Sequence, residues 1–131
     1  MKKTASAITL FAFLLVLSCG MSFSQQADLS GTWVGPTEVP DAVEPDILTL
    51  VLKKEEGKYS GTITDSMGML QDTEIENVEF KDNTLTFTFQ VDAGGAYMTV
   101  HTSLTVKWDK MSGYWETDEG NSAPIEMERK K

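Results

Sequence analysis

Few side chains in this 131-residue chain could do chemistry, and they are scattered along it. The single cysteine is Cys19 and the single histidine is His101. A lone cysteine forms no internal disulfide, and it offers neither a cysteine cluster for a metal nor a partnered thiol nucleophile. His101 stands among Thr99, Ser103 and Thr105, with no nucleophile elbow or metal-ligand spacing around it. It reads as a solvated surface histidine. Gly94-Gly95 reads as a hairpin turn rather than a phosphate-cradling loop. Glu38, Asp41, Glu44 and Asp46 offer carboxylates two to three residues apart, but not in the ordered ligand pattern of a calcium loop. With Pro40 and Pro45 among them, they read as a stiffened loop carrying solvated charges. The pattern predicts no catalytic residue, no metal, no cofactor and therefore no enzyme.

The segment Ser66-Met67-Gly68-Met69-Leu70 is of another kind. Its apolar residues lie where no alternating pattern requires them, and methionine adapts to irregular partners. Folded inward, the segment would cap the domain. Turned outward, it would be a lid over a ligand or a patch that docks a partner. Two methionines without a nearby histidine or cysteine make a thin copper site.

The N-terminus has the pattern of an export signal. Lys2 and Lys3 precede an uncharged apolar stretch over residues 4–17, too short for a comfortable membrane span. Two cleavage sites fit. Val16-Leu17-Ser18-Cys19 resembles a lipoprotein box, giving residues 1–18 as the signal and Cys19 as the lipidated first residue. Ser22-Phe23-Ser24 suits an ordinary signal peptidase, giving 1–24 as the signal. Residues 25–131 then form one domain, in the periplasm or outside the cell, touching a membrane only through a lipid anchor. The formal net charge is −9 and becomes more negative once Lys2 and Lys3 are removed, which disfavours nucleic acid and anionic lipid as partners.

The elements that must position these residues are strands. Leu48, Leu50 and Leu52 alternate with Thr49 and Val51; Leu85, Phe87, Phe89 and Val91 alternate with Thr84, Thr86, Thr88 and Gln90. A longer run puts Met98, Val100, Leu104, Val106 and Trp108 on one face, with Thr102 as the polar intruder. Eight strands are expected, at about 29–35, 46–53, 58–65, 74–80, 84–91, 96–108, 111–117 and 123–129. The fourth changes apolar parity between Ile75 and Val78, which a β-bulge near Glu76-Asn77 would absorb. The inward set also includes Trp33, Ile63, Trp115, Ile125 and Met127. Connections after the second, fourth and sixth strands are tight, while those at 36–45, 66–73 and 118–122 are longer. In an antiparallel up-and-down arrangement the longer ones share one end. That predicts an all-β, eight-stranded antiparallel up-and-down β-barrel with one closed end and one open mouth.

Gly31-Thr32-Trp33 opens the first strand, and related triplets recur at Gly61-Thr62-Ile63 and Gly113-Tyr114-Trp115. A glycine two positions before a large side chain leaves room where a bulky neighbour crosses. With the eight-strand meander, these motifs resemble the calycin-type barrels, meaning lipocalins, fatty-acid-binding proteins and avidins, over residues 28–129. The chain also looks like the short secreted bacterial domains that begin with a Gly-Thr-Trp motif. No other lipocalin motif and no biotin-binding set maps onto it, so the resemblance implies a lipocalin-like fold more than a ligand. Two functions follow as expectations. One is binding of a small apolar or amphipathic ligand at the open end, by Trp33, Met67, Met69, Leu70, Phe89 and Tyr97. The other is a packed barrel acting as a protein-interaction module or periplasmic inhibitor.

Overall fold

Period-two alternation becomes strand almost wherever it occurs in residues 28–131, the residues that the computed structural model describes. The expected signal segment and Cys19 lie outside the described residues. The strands are β1 (Gly31–Thr37), β2 (Asp46–Glu55), β3 (Lys58–Asp65), β4 (Thr73–Glu74), β5 (Glu76–Lys81), β6 (Thr84–Asp92), β7 (Tyr97–Lys107), β8 (Lys110–Thr117) and β9 (Ser122–Arg129). All pair antiparallel, in the order β4-β3-β2-β1-β9-β8-β7-β6-β5. There are nine strands rather than eight, because the expected fourth strand is divided at Ile75. Its first part pairs with β3 and its second with β6.

That division closes the sheet. β4 and β5 are the two edges of the sheet, yet only Ile75 separates them in the chain, so the edges meet. The Ile75 N–H donates to the Gly61 carbonyl at 3.1 Å, and the Tyr59 and Phe80 rings meet edge to face across the remaining gap. The result is a nearly closed barrel. Between Glu76 and Glu79 the register to β6 shifts, and Asn77 takes φ 52°. The parity change in the sequence is therefore a real irregularity at the expected place.

Leu48, Leu50, Leu52, Ile63, Leu85, Phe87, Phe89, Val100, Leu104, Val106, Ile125 and Met127 are all buried, as their alternation requires. Each such side chain contributes roughly 1.5–3 kcal/mol when fully buried. An exposed pair such as Lys110–Glu128, at 3.6 Å, contributes about 0–1 kcal/mol, so the interior and not surface charge pairing holds the fold. Thr102 is buried as the expected intruder, and its hydroxyl has no partner among the described residues. Trp108 is the exception to the inward set. β7 ends at Lys107, which pairs with Lys110, and Trp108 enters the turn with φ 58°. The positive φ breaks the alternation and leaves the indole 85% exposed.

Two of the repeated glycines make room for backbone, while the third, Gly31, lies against the Arg129 side chain. A Cβ at Gly61 would run into the Val51 carbonyl, and one at Gly113 into the Ser103 carbonyl, each on the paired strand. Trp33 belongs to the closed end. It is fully buried, its Nε1–H donates to the Leu29 carbonyl at 3.0 Å, and the Arg129 guanidinium lies 4.3 Å from its ring centre. Arg129 also donates to the carbonyls of Ser30 and Asp28 and to the Asp109 carboxylate. One side chain thus ties both chain termini of the barrel to the β7–β8 turn.

Candidate functional site

The connections at the other end are 38–45, 66–72, 93–96 and 118–121, and all but 93–96 contribute to the lining of a cavity of about 160 Å³. Its wall is built from the inward positions nearest that end: Leu48 of β2, Phe89 and Val91 of β6, Met98 and Val100 of β7, and Trp115 of β8. Val39 and Pro40 from one loop and Met69 and Leu70 from another cover it. A neutral relay braces the wall. The Trp115 Nε1–H donates to Thr37 Oγ1 at 2.7 Å, and the Thr37 hydroxyl donates to the Pro124 carbonyl at 2.9 Å.

One ionisable side chain, Asp46, lines this apolar space. It shares the inward face of β2 with Leu48, Leu50 and Leu52, so the alternation that buries the leucines buries it too, leaving 2% exposed. The expectation that Asp46 is a solvated loop charge is therefore overturned. Asp65 lies on the inward face of β3, paired with Leu48, and is 6% exposed. A diagonal step across two strands brings the two carboxyls together. Between them they hold the Met-Gly-Met loop by both ends. Asp46 Oδ1 accepts from the Ser66 hydroxyl at 3.0 Å and the Met67 N–H at 3.2 Å, and Asp65 Oδ1 accepts from the Leu70 N–H at 2.7 Å.

The second oxygen of Asp65 has no donor among the described residues, although it is buried. Burial pushes the Asp46 carboxyl above its ordinary value of 3.8, and the contact and charge of Asp65 add to that, against the donors Ser66 and Met67.

Charge is divided between the two ends. Every lysine and arginine of residues 28–131 is at or beside the closed end. Lys53, Lys54 and Lys58 flank the β2–β3 turn; Lys81, Lys107 and Lys110 flank the next two; Arg129, Lys130 and Lys131 end the chain. The connections at the mouth carry Glu38, Asp41, Glu44, Asp72, Asp118 and Glu119, with no cation. These carboxylates are dispersed. Among the described residues, no three His, Cys, Asp or Glu side chains gather closely enough to hold a metal ion. His101 sits on the outer face of β7, half-exposed, with Nε2 3.1 Å from the exposed Asp118 carboxylate.

Of the residues expected at a ligand site, Met69, Leu70 and Phe89 line the cavity. Trp33 does not, because its position near the start of β1 puts it at the opposite end. Met67 is exposed and meets the site through its backbone N–H, and Tyr97 is 77% exposed. Asp46 and Asp65 were missed, although each is an aspartate on the inward parity of an apolar alternation. The chain matches no family model, no curated protein and no solved structure.

Proposed function

We propose that this chain is an exported, lipocalin-like barrel that holds a small amphipathic molecule in its open-end cavity and acts by binding rather than by catalysis. The observation that carries the reading is the cavity itself, apolar on nearly every side and framed by the longer connections. Drug-sized ligands need roughly 300–1,000 Å³. At about 160 Å³ this space suits a body near the size of benzene, which an engineered apolar cavity of about 150 Å³ accepts. Export rests on the Lys2-Lys3 and apolar pattern at the N-terminus, and the calycin-type kinship on the Gly-x-Trp motif and the meander.

Native mass spectrometry of protein purified gently from its own host tests the reading. The wild type should carry an adduct of defined mass that is lost on denaturation. Met98→Trp, which fills the cavity from a half-buried wall position, should abolish the adduct while the protein stays folded. An adduct that survives Met98→Trp would refute the cavity as its site.

Docking of a protein on the rim is the second reading, favoured by the exposed apolar side chains Val43, Ile47, Met67 and Met69 on and beside the mouth loops. Under it, Met67→Ser would abolish binding and Met98→Trp would not.

A further inference from the structure

We infer that the ligand is a small primary amine with an apolar body, its ammonium held by the Asp46 carboxylate in the cavity wall, with Asp65 behind it, and its body packed against Leu48, Phe89 and Trp115. The inference rests on the cavity reading above and adds the chemical class of what enters it.

Three independent features point to that class. The first is the sign of the wall. Asp46 is the one ionisable group lining a surface that is otherwise apolar or, at Thr37, Thr117 and Asn121, polar but uncharged, and Asp65 stands behind it. An anionic head would bring a like charge into a dry space with no arginine or lysine to receive it, which is costly. An ammonium would bring hydrogen-bond donors and an opposite charge to acceptors already buried there.

The second is the orphaned oxygen of Asp65, buried beside Asp46 and left without a donor among the described residues, so the pair is short of both donors and positive charge. The third is the field of the whole molecule. Carboxylates ring the mouth, and every described lysine and arginine is at or beside the far end, so a cation is drawn toward the cavity and an anion away from it. The carboxylates do not converge on a metal site, so what they favour is a monovalent organic cation that also needs apolar contact.

The test is an isosteric series in which only the head changes: benzylamine, benzyl alcohol and benzoate, titrated calorimetrically into the full mature protein near neutral pH. Benzylamine should bind at least about tenfold more tightly than benzyl alcohol, the net size of one charge-assisted hydrogen bond. Benzoate should give no measurable heat. Asp46→Asn keeps the side chain's shape and removes its charge, so it should bring benzylamine to within about threefold of benzyl alcohol without abolishing either.

Benzoate or the alcohol binding as well as the amine would overturn the inference and leave the cavity reading standing. An amine preference that survives in Asp46→Asn would overturn it too. Failure of all three probes on the wild type would remove the cavity reading and this inference together. If Asp46→Asn fails to fold, the order of the three probes on the wild type decides alone.

Discussion

A buried carboxyl that holds its proton more tightly leaves a signature in stability as well as in binding. The folded protein pushes Asp46 above its ordinary value of 3.8, first through burial and then through the contact and charge of Asp65. The folded state therefore holds this proton more tightly than the unfolded chain does. Stability from such a group is fully present below the unfolded value and is lost as pH rises through the raised folded one. Asp46→Asn replaces the proton with a permanent N–H that can still donate to Asp65, while its carbonyl can still accept from Ser66 and Met67. The variant should match the wild type near pH 4 and exceed it near pH 7, as read from urea midpoints, because it does not lose the proton across that interval. A stability difference that stays constant between the two pH values would show that the fold does not raise the Asp46 carboxyl. The same comparison separates the pair from the solvated carboxylates at the mouth, which both proteins keep.

At the scale of elements, the feature that turns a meander into a barrel is the irregular segment between β3 and β6. Asn77 holds φ 52° where the register to β6 shifts, and its amide donates to Thr88 Oγ1 at 3.0 Å. A β-branched residue there meets the left-handed steric penalty of roughly 1–2 kcal/mol, whereas glycine avoids it. Asn77→Val should therefore lower stability by about that amount, and Asn77→Gly by only a few tenths of a kcal/mol, in denaturant unfolding. Equal losses would place the value of Asn77 in its side-chain hydrogen bond instead. This segment also marks how far the sequence was legible. The parity change between Ile75 and Val78 announced an irregularity, because alternation is a local property. It did not announce that the two halves pair with different neighbours, since pairing is decided by the whole sheet. Trp108 failed for a related reason: alternation says nothing about where a strand stops, and one positive φ reverses a side chain. The cavity was legible in part. Met69, Leu70 and Phe89 could be placed from the loop asymmetry and the apolar face, while Asp46 was read by its acidic neighbours instead of by its inward parity with Leu48.

On the scale of the whole molecule, the two ends of the barrel differ in what they carry, and the proposed recognition belongs to one of them. The closed end is sealed by Leu29 and Trp33 under the Arg129 guanidinium, with lysines gathered around it; the mouth carries the cavity and exposed carboxylates. Stability at one end and recognition at the other should then be separable, since distant sites without shared partners act additively. Arg129→Met keeps much of the apolar stem but removes the charge over Trp33 and the bonds to Asp28, Ser30 and Asp109. Partly buried stacking contributes up to about 2 kcal/mol, and each hydrogen bond about 0.5–1.5 kcal/mol net, so a loss of about 2–3 kcal/mol is expected. Lysine should not rescue it, because an ammonium cannot both cover the ring and bond in three directions. Benzylamine affinity of folded Arg129→Met should stay within about twofold of the wild type, while Asp46→Asn should show the reverse, an altered affinity with stability kept or raised. A tenfold change in affinity from Arg129→Met would mean that the seal at the floor sets the shape of the mouth, and that the barrel responds to a ligand as one body.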